Sequence, residues 1–279
     1  MAVIHLPNGI GQSAGDSLAT VSPLEVNGNV WYVNANHSYA LDAASPAGRS
    51  ELRPLQTLSQ AQASASNGDI IVLMDGHTET YTGVFTITKN VCIVGGGSSS
   101  GVPTVTFTNN SAAGVMFSFT GSGLQELRNV KIAVNAQTNA QARLSNANTG
   151  VLRLAGCYFQ CGATDTGPAL LNTTNGVNIH LKNCTFVSTA TNAGSRPESA
   201  FKVSAAMTTL LMDGVVFDNG TVGFSNTYAL SIGAAVTALA AENMSFLRGA
   251  DASIFETAVG YLAATTATGA PRIDWADVA

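Results

Sequence analysis

Leu152-Arg153-Leu154-Ala155-Gly156-Cys157-Tyr158-Phe159 decides the fold, because it comes back. It returns as Ile179-His180-Leu181-Lys182-Asn183-Cys184-Thr185-Phe186, as Leu210-Leu211-Met212-Asp213-Gly214-Val215-Val216-Phe217, and as Leu239-Ala240-Ala241-Glu242-Asn243-Met244-Ser245-Phe246. Earlier copies stand at 125–132 and, more weakly, at 86–93. The central Asn or Gly falls at Asn90, Asn129, Gly156, Asn183, Gly214 and Asn243, in steps of 39, 27, 27, 31 and 29 residues. Apolar and polar residues alternate on both sides of it, which is the period of a strand. The phase changes at the Asn/Gly, so this residue marks a bend. Gly, and less often Asn, accepts the positive φ that such a bend requires. A regular period of this length predicts stacked strand–bend–strand coils. No helical stripe separates the copies, which argues against a leucine-rich repeat. The expected fold is all-β, a parallel β-helix.

Alignment on the bend sorts residues into columns. The next residue is Val91, Val130, Cys157, Cys184, Val215 and Met244, and two further on stand Ile93, Ile132, Phe159, Phe186, Phe217 and Phe246. Both columns are expected inside, with the four Phe rings in one stack. The residue before the bend is Lys89, Arg128, Ala155, Lys182, Asp213 and Glu242. It is expected outside, as is Arg153 beside His180. These two could touch a ligand; a solvated face is the plainer reading. Cys157 and Cys184 share an inward position and read as packed thiols. No Cys or His spacing predicts a metal site.

The flanks are organised differently. Residues 1–28 read as an extended N-terminal arm, and 29–268 as the β-helix. Within the latter, a helix over about 54–66 starts at Pro54, carries Leu55, Leu58, Ala61 and Ala65 on one face, and stops at Asn67-Gly68. It is expected to cap the exposed first coil. Residues 269–279 form a C-terminal tail, whose Ile273 and Trp275 are expected to cover the last coil or reach a partner.

Composition narrows the function classes. Charged residues make up only 10% of the 279, the net charge is -5, and there are 28 Gly. An ordinary soluble domain carries about 25% charged residues. No Lys/Arg cluster provides a footprint for nucleic acid. No apolar run approaches a membrane span. The opening Met1-Ala-Val-Ile-His-Leu-Pro7 lacks the basic and apolar regions of a signal peptide, so synthesis in the cytoplasm is expected.

Arg53-Pro-Leu-Gln-Thr-Leu-Ser-Gln-Ala61, Ala65-Ser-Asn-Gly-Asp-Ile-Ile-Val-Leu73 and Ile87-Thr-Lys-Asn-Val-Cys-Ile-Val-Gly95 resemble the opening of the pectate-lyase-like superfamily. That resemblance covers 53–95 and implies a right-handed parallel β-helix with a short N-terminal capping helix. The superfamily includes polysaccharide lyases and hydrolases as well as phage tailspikes and other virion proteins, so the fold alone does not choose among them.

A glycosidase needs two carboxylates facing one linkage. The only regular acidic pair is Asp213 and Glu242, expected to be neighbours about 4.8 Å apart. They are the catalytic residues if the chain is an enzyme. Asp75, His77 and Glu79 read as an ordinary turn. The four histidines form no triad spacing, and no cofactor motif is present. The preferred expectation is therefore a non-enzymatic structural protein of a bacteriophage particle, a head decoration or a tail spike or fibre component. It would assemble as a homotrimer and with capsid or tail proteins, through its β-helix faces and N-terminal arm. The outward apolar residues Leu211 and Val216 fit a contact face. The alternative is a β-helix that binds or degrades polysaccharide, with a host surface glycan as ligand.

Overall fold

The structure is a computed structural model. It describes residues 28–42, 47–82, 84–96, 102–109, 117–136, 144–161, 171–173, 178–189, 200–218, 230–232, 236–247 and 272–275. The expected arm, apart from Gly28, lies outside the described residues.

The chain winds through three sheet faces in turn. The first face holds β1 (Val30–Val33), β2 (Ile70–Met74), β5 (Cys92–Gly96), β8 (Leu124–Arg128), β11 (Val151–Ala155), β14 (Asn178–Lys182), β17 (Met207–Asp213) and the first half of β20 (Val236–Leu247). The second holds β3 (Thr78–Tyr81), β6 (Thr104–Asn109), β9 (Lys131–Ala136), β12 (Tyr158–Cys161), β15 (Thr185–Ser188), β18 (Val216–Asp218) and the second half of β20. The third is β4 (Phe85–Ile87), β7 (Phe117–Phe119), β10 (Leu144–Asn146), β13 (Leu171–Thr173), β16 (Phe201–Val203) and β19 (Leu230–Ile232). Ladders within each face are parallel, so the fold is a parallel β-helix, consistent with the superfamily it resembles.

The core runs down the middle as the alternation requires. The first face contributes Ile71, Ile93, Leu127, Leu154, Leu181, Met212 and Ala241 in one continuous register. The second contributes Ile132, Phe159, Phe186 and Phe217. Phe159 and Phe186 stack at 5.0 Å, and Phe186 and Phe217 at 5.4 Å. Phe246 is in register with Phe217. Each buried Ile, Leu, Met or Phe of these columns from Ile71 to Phe217 stabilises the fold by about 1.5–3 kcal/mol.

The bend residues alternate in kind. Asn129, Gly156, Asn183, Gly214 and Asn243 all have positive φ, between 50° and 64°. A Cβ on Gly214 would overlap Asn183 Oδ1, so the Asn183 side chain lies over a bend that has none. Backbone bonds stitch the bends together: Asn129 N–H donates to Ala155 O, Gly156 N–H to Lys182 O, and Asn183 N–H to Asp213 O.

The copy expected at 86–93 is out of phase. Ile93 pairs with Leu127 and Val94 with Arg128, so the residue level with Asn129 is Gly95, not Asn90, and it continues strand β5 without the left-handed backbone of the later bends. Asn129 Nδ2 donates to the Gly95 carbonyl at 3.0 Å, and a Cβ on Gly95 would overlap Asn129 O. Lys89, Val91 and Ile93 therefore leave the columns assigned to them. Asn90 sits at a different corner, where its Oδ1 accepts Gly123 N–H at 2.9 Å.

The helix is shorter than expected. α1 spans Leu58–Ser64, with Thr57 as N-cap accepting from Gln60 N–H. Pro54 and Leu55 stay extended, and Leu55 bridges Val33. The Asp42 carboxylate accepts from Gln56 N–H, Thr57 N–H and the Thr57 hydroxyl, which stops the helix from starting earlier. Leu58, Ala61 and Ala65 join the main core. β1 precedes the helix and pairs with β2, so a strand as well as a helix stands at this end. At the other end, β21 (Arg272–Trp275) pairs in parallel with β20; this part of the tail extends the first face.

Candidate functional site

The outer surface of the first face carries the residues selected from the sequence. One outward column runs Ile70, Cys92, Glu126, Arg153, His180, Leu211 and Ala240. The other runs Val72, Val94, Arg128, Ala155, Lys182, Asp213 and Glu242. Strand alternation positions both: each residue is flanked in its strand by a buried neighbour, as in β14, where Ile179 and Leu181 are buried around His180.

Asp213 and Glu242 are in register. Asp213 Oδ1 accepts from Asn243 Nδ2 at 3.0 Å. Both side chains are half-buried on an open sheet surface. The structure brings the pair together as neighbours, and Lys182 stands next to Asp213 on the other side. Arg153 and His180 are likewise in register. Partial burial, then the Arg153 charge, hold the His180 imidazole below its ordinary value.

Toward the N-terminal end this surface turns apolar. Ile70, Cys92 and Val94 are buried, with Val30 and Val72 packed against them. Glu126 borders the patch; it accepts from Arg128 Nε at 2.6 Å, and Cys92 Sγ lies 3.7 Å from its other oxygen. Burial and the Glu126 charge push the Cys92 thiol well up.

Two buried polar clusters escape sequence reading. Asp69 accepts from Asn29 N–H at 2.7 Å, Trp31 Nε1 at 2.9 Å and Ser66 N–H at 2.8 Å. Burial works against its charge, but these bonds outweigh it and hold the carboxyl below its ordinary value. Its signal was the Gly68-Asp69 step that opens the first full coil.

The second cluster is the supposed turn. His77 is fully buried. Its Nδ1 accepts Ala35 N–H at 3.1 Å, and its Nε2 lies 3.3 Å from Glu79 Oε2. That same oxygen accepts Leu58 N–H at 2.9 Å. Tyr81 OH accepts Ser59 N–H at 2.9 Å; burial and the Glu79 charge raise its phenol above the ordinary value. This is a latch that holds α1 and the 34–36 loop to β3. Only the folded topology reveals it, since its partners are 21 to 42 residues apart in sequence.

Cys157 and Cys184 are buried free thiols, as their shared position predicted. Burial raises the Cys157 thiol. Among the described residues no three His, Cys, Asp or Glu side chains gather to hold a metal, and no helix is long and apolar enough to cross a membrane.

The class defined by these features is a parallel β-helix with a mixed charged and apolar outer face. No protein-family model matches the sequence, and no curated protein is detectably similar to it.

Proposed function

We propose that this chain is a structural component of a bacteriophage particle, a head decoration or tail spike or fibre protein, that works by contact rather than by chemistry. The observation that carries this reading is where the repeat goes. Its constancy is spent on inward columns, while the outward column of the first face changes from Glu126 to Arg153, His180, Leu211 and Ala240 in consecutive coils. A surface that varies from coil to coil and includes an exposed leucine, Leu211 at 38%, suits one extended partner. Assembly as a homotrimer, and with capsid or tail proteins, belongs to this proposal. The test is immunogold labelling of purified particles of the virus that encodes the chain. Label on the particles is expected; label confined to the soluble lysate contradicts the reading.

A second reading has one observation in its favour. The register of Asp213 with Glu242 gives the neighbouring carboxylates that glycoside hydrolysis uses. Incubation with capsular or pectic polysaccharide tests it. New reducing ends or unsaturated uronides that vanish in Asp213→Asn and Glu242→Gln would establish an enzyme with a glycan substrate.

A further inference from the structure

We propose that the outer surface of the first face is a self-complementary contact for a second copy of this chain, with the two solenoids antiparallel. The two-fold axis runs along the strands, between β14 and β17. The argument rests on the order of charge in one column. It reads Arg128, Ala155, Lys182, Asp213, Glu242 from coil to coil. Cations lie on one side of the Lys182–Asp213 step and anions on the other. Turned end for end about that step, the column sets Lys182 and Asp213 against each other across the contact and Ala155 against the partner's Glu242. Lys182 faces the partner's Asp213, and Asp213 faces the partner's Lys182.

The neighbouring column agrees. The same rotation sets His180 against the partner's Leu211, so the exposed leucine is covered twice by symmetry. Arg153 faces the partner's Ala240, two residues from the partner's Glu242. The opposite arrangement, a two-fold along the solenoid axis, would set Lys182 against the partner's Lys182 and Asp213 against the partner's Asp213. Like charges in contact disfavour it.

Arg128 is held by Glu126 within the chain, so the contact rests on Lys182 and Asp213. Elsewhere, His77 Nε2 lies 3.3 Å from Glu79 Oε2. Lys182 and Asp213 are adjacent in register yet form no ion pair, and Asp213 bonds instead to the neutral Asn243 amide. Packed sheets stand about 10 Å apart, a gap that lysine and aspartate side chains bridge from opposite sides.

The contact is small. The overlap of β11, β14, β17 and β20 spans about 20 Å along the axis and about 17 Å along the strands. That is about 350 Å² a copy, against about 800 Å² for a standard interface. It is therefore weak by itself and sensitive to salt. Arrays of copies would strengthen it through multivalency.

Sedimentation velocity on the full chain tests the proposal. A salt-sensitive pairing of copies, of single chains or of the trimers proposed above, is expected at low salt and high protein concentration, dissociating in 1 M salt, where the screening length is about 3 Å. Lys182→Asp alone and Asp213→Lys alone should each weaken association by about tenfold or more. An equimolar mixture of the two should restore it, and so should the double exchange Lys182→Asp/Asp213→Lys, which keeps the net charge. Circular dichroism on each variant confirms folding. A chain that stays monomeric at low salt overturns the proposal. So does association indifferent to both reversals, including a trimer; that last result would leave the structural reading above standing.

Discussion

The first coil and the later coils place opposite chemistry at the same lattice positions. On the second face, Glu79 in β3 heads a column that continues through Val105, Ile132, Phe159, Phe186 and Phe217. Tyr81 heads the column that passes Val134 and reaches Ser188. In the middle of the solenoid an inward side chain meets the same residue type one coil away, so aromatic rings stack. Among the described residues β3 is the first strand of this face. The neighbour is α1, whose first N–H groups need acceptors. Glu79 and Tyr81 supply them through Leu58 and Ser59. An inward position thus takes the chemistry of whatever lies next to it along the axis.

That contrast can be broken at either end. Phe186→Ala should show the largest effect, because it removes a ring stacked on both sides. A loss of about 3–5 kcal/mol is expected, read as a Tm lower by roughly 6–20 °C. Glu79→Ala should cost less, about 1–3 kcal/mol, by leaving Leu58 N–H and its buried neighbours without their acceptor. Its signature is local: amide exchange should quicken in α1 and not in β15.

Gly214→Ala should cost about 1–2 kcal/mol for the left-handed backbone, with the Asn183 side chain forced aside in addition. The double variant Asn183→Gly/Gly214→Ala should recover the steric part alone, as a thermal melt would reveal. The smallest effect is a pH dependence. The folded Asp69 carboxyl lies below its ordinary value, so its contribution is complete above the unfolded value of about 3.9. It is lost as pH falls through the folded value. Asp69→Asn should lower stability at neutral pH and flatten the acid limb of a stability–pH profile below about pH 4.

The repeat between 125 and 246 was legible because alternation and a bend residue fix both phase and facing. The columns through Phe159, Phe186 and Phe217, and through Lys182, Asp213 and Glu242, follow from that alone. The phase of the copy at 86–93 was not legible. Asn occurs at two kinds of corner here: Asn129 makes a left-handed bend, while Asn90 offers its side chain to Gly123 N–H. A strand signal follows both, so the letters do not distinguish them. The helix start was misplaced because Pro54 suits an N-terminus, whereas the Asp42 carboxylate, 15 residues back from Thr57, sets the cap. His77 and Glu79 looked like turn residues because their burial depends on a helix and loop packed over them. The charge order of the outward column was readable as letters, but its meaning needed the register to show that no coil interrupts it.

The central claim is that the repeat builds a core and leaves its outer columns free for contact. β14 tests it within a single strand, since Ile179 is fully buried and His180 beside it faces out. Thermal melts of Ile179→Ala and His180→Ala should be run side by side. The account predicts a loss of about 2–5 kcal/mol for Ile179→Ala and a change within about 0.5 kcal/mol for His180→Ala. Equal losses, or a larger loss for His180→Ala, would contradict it.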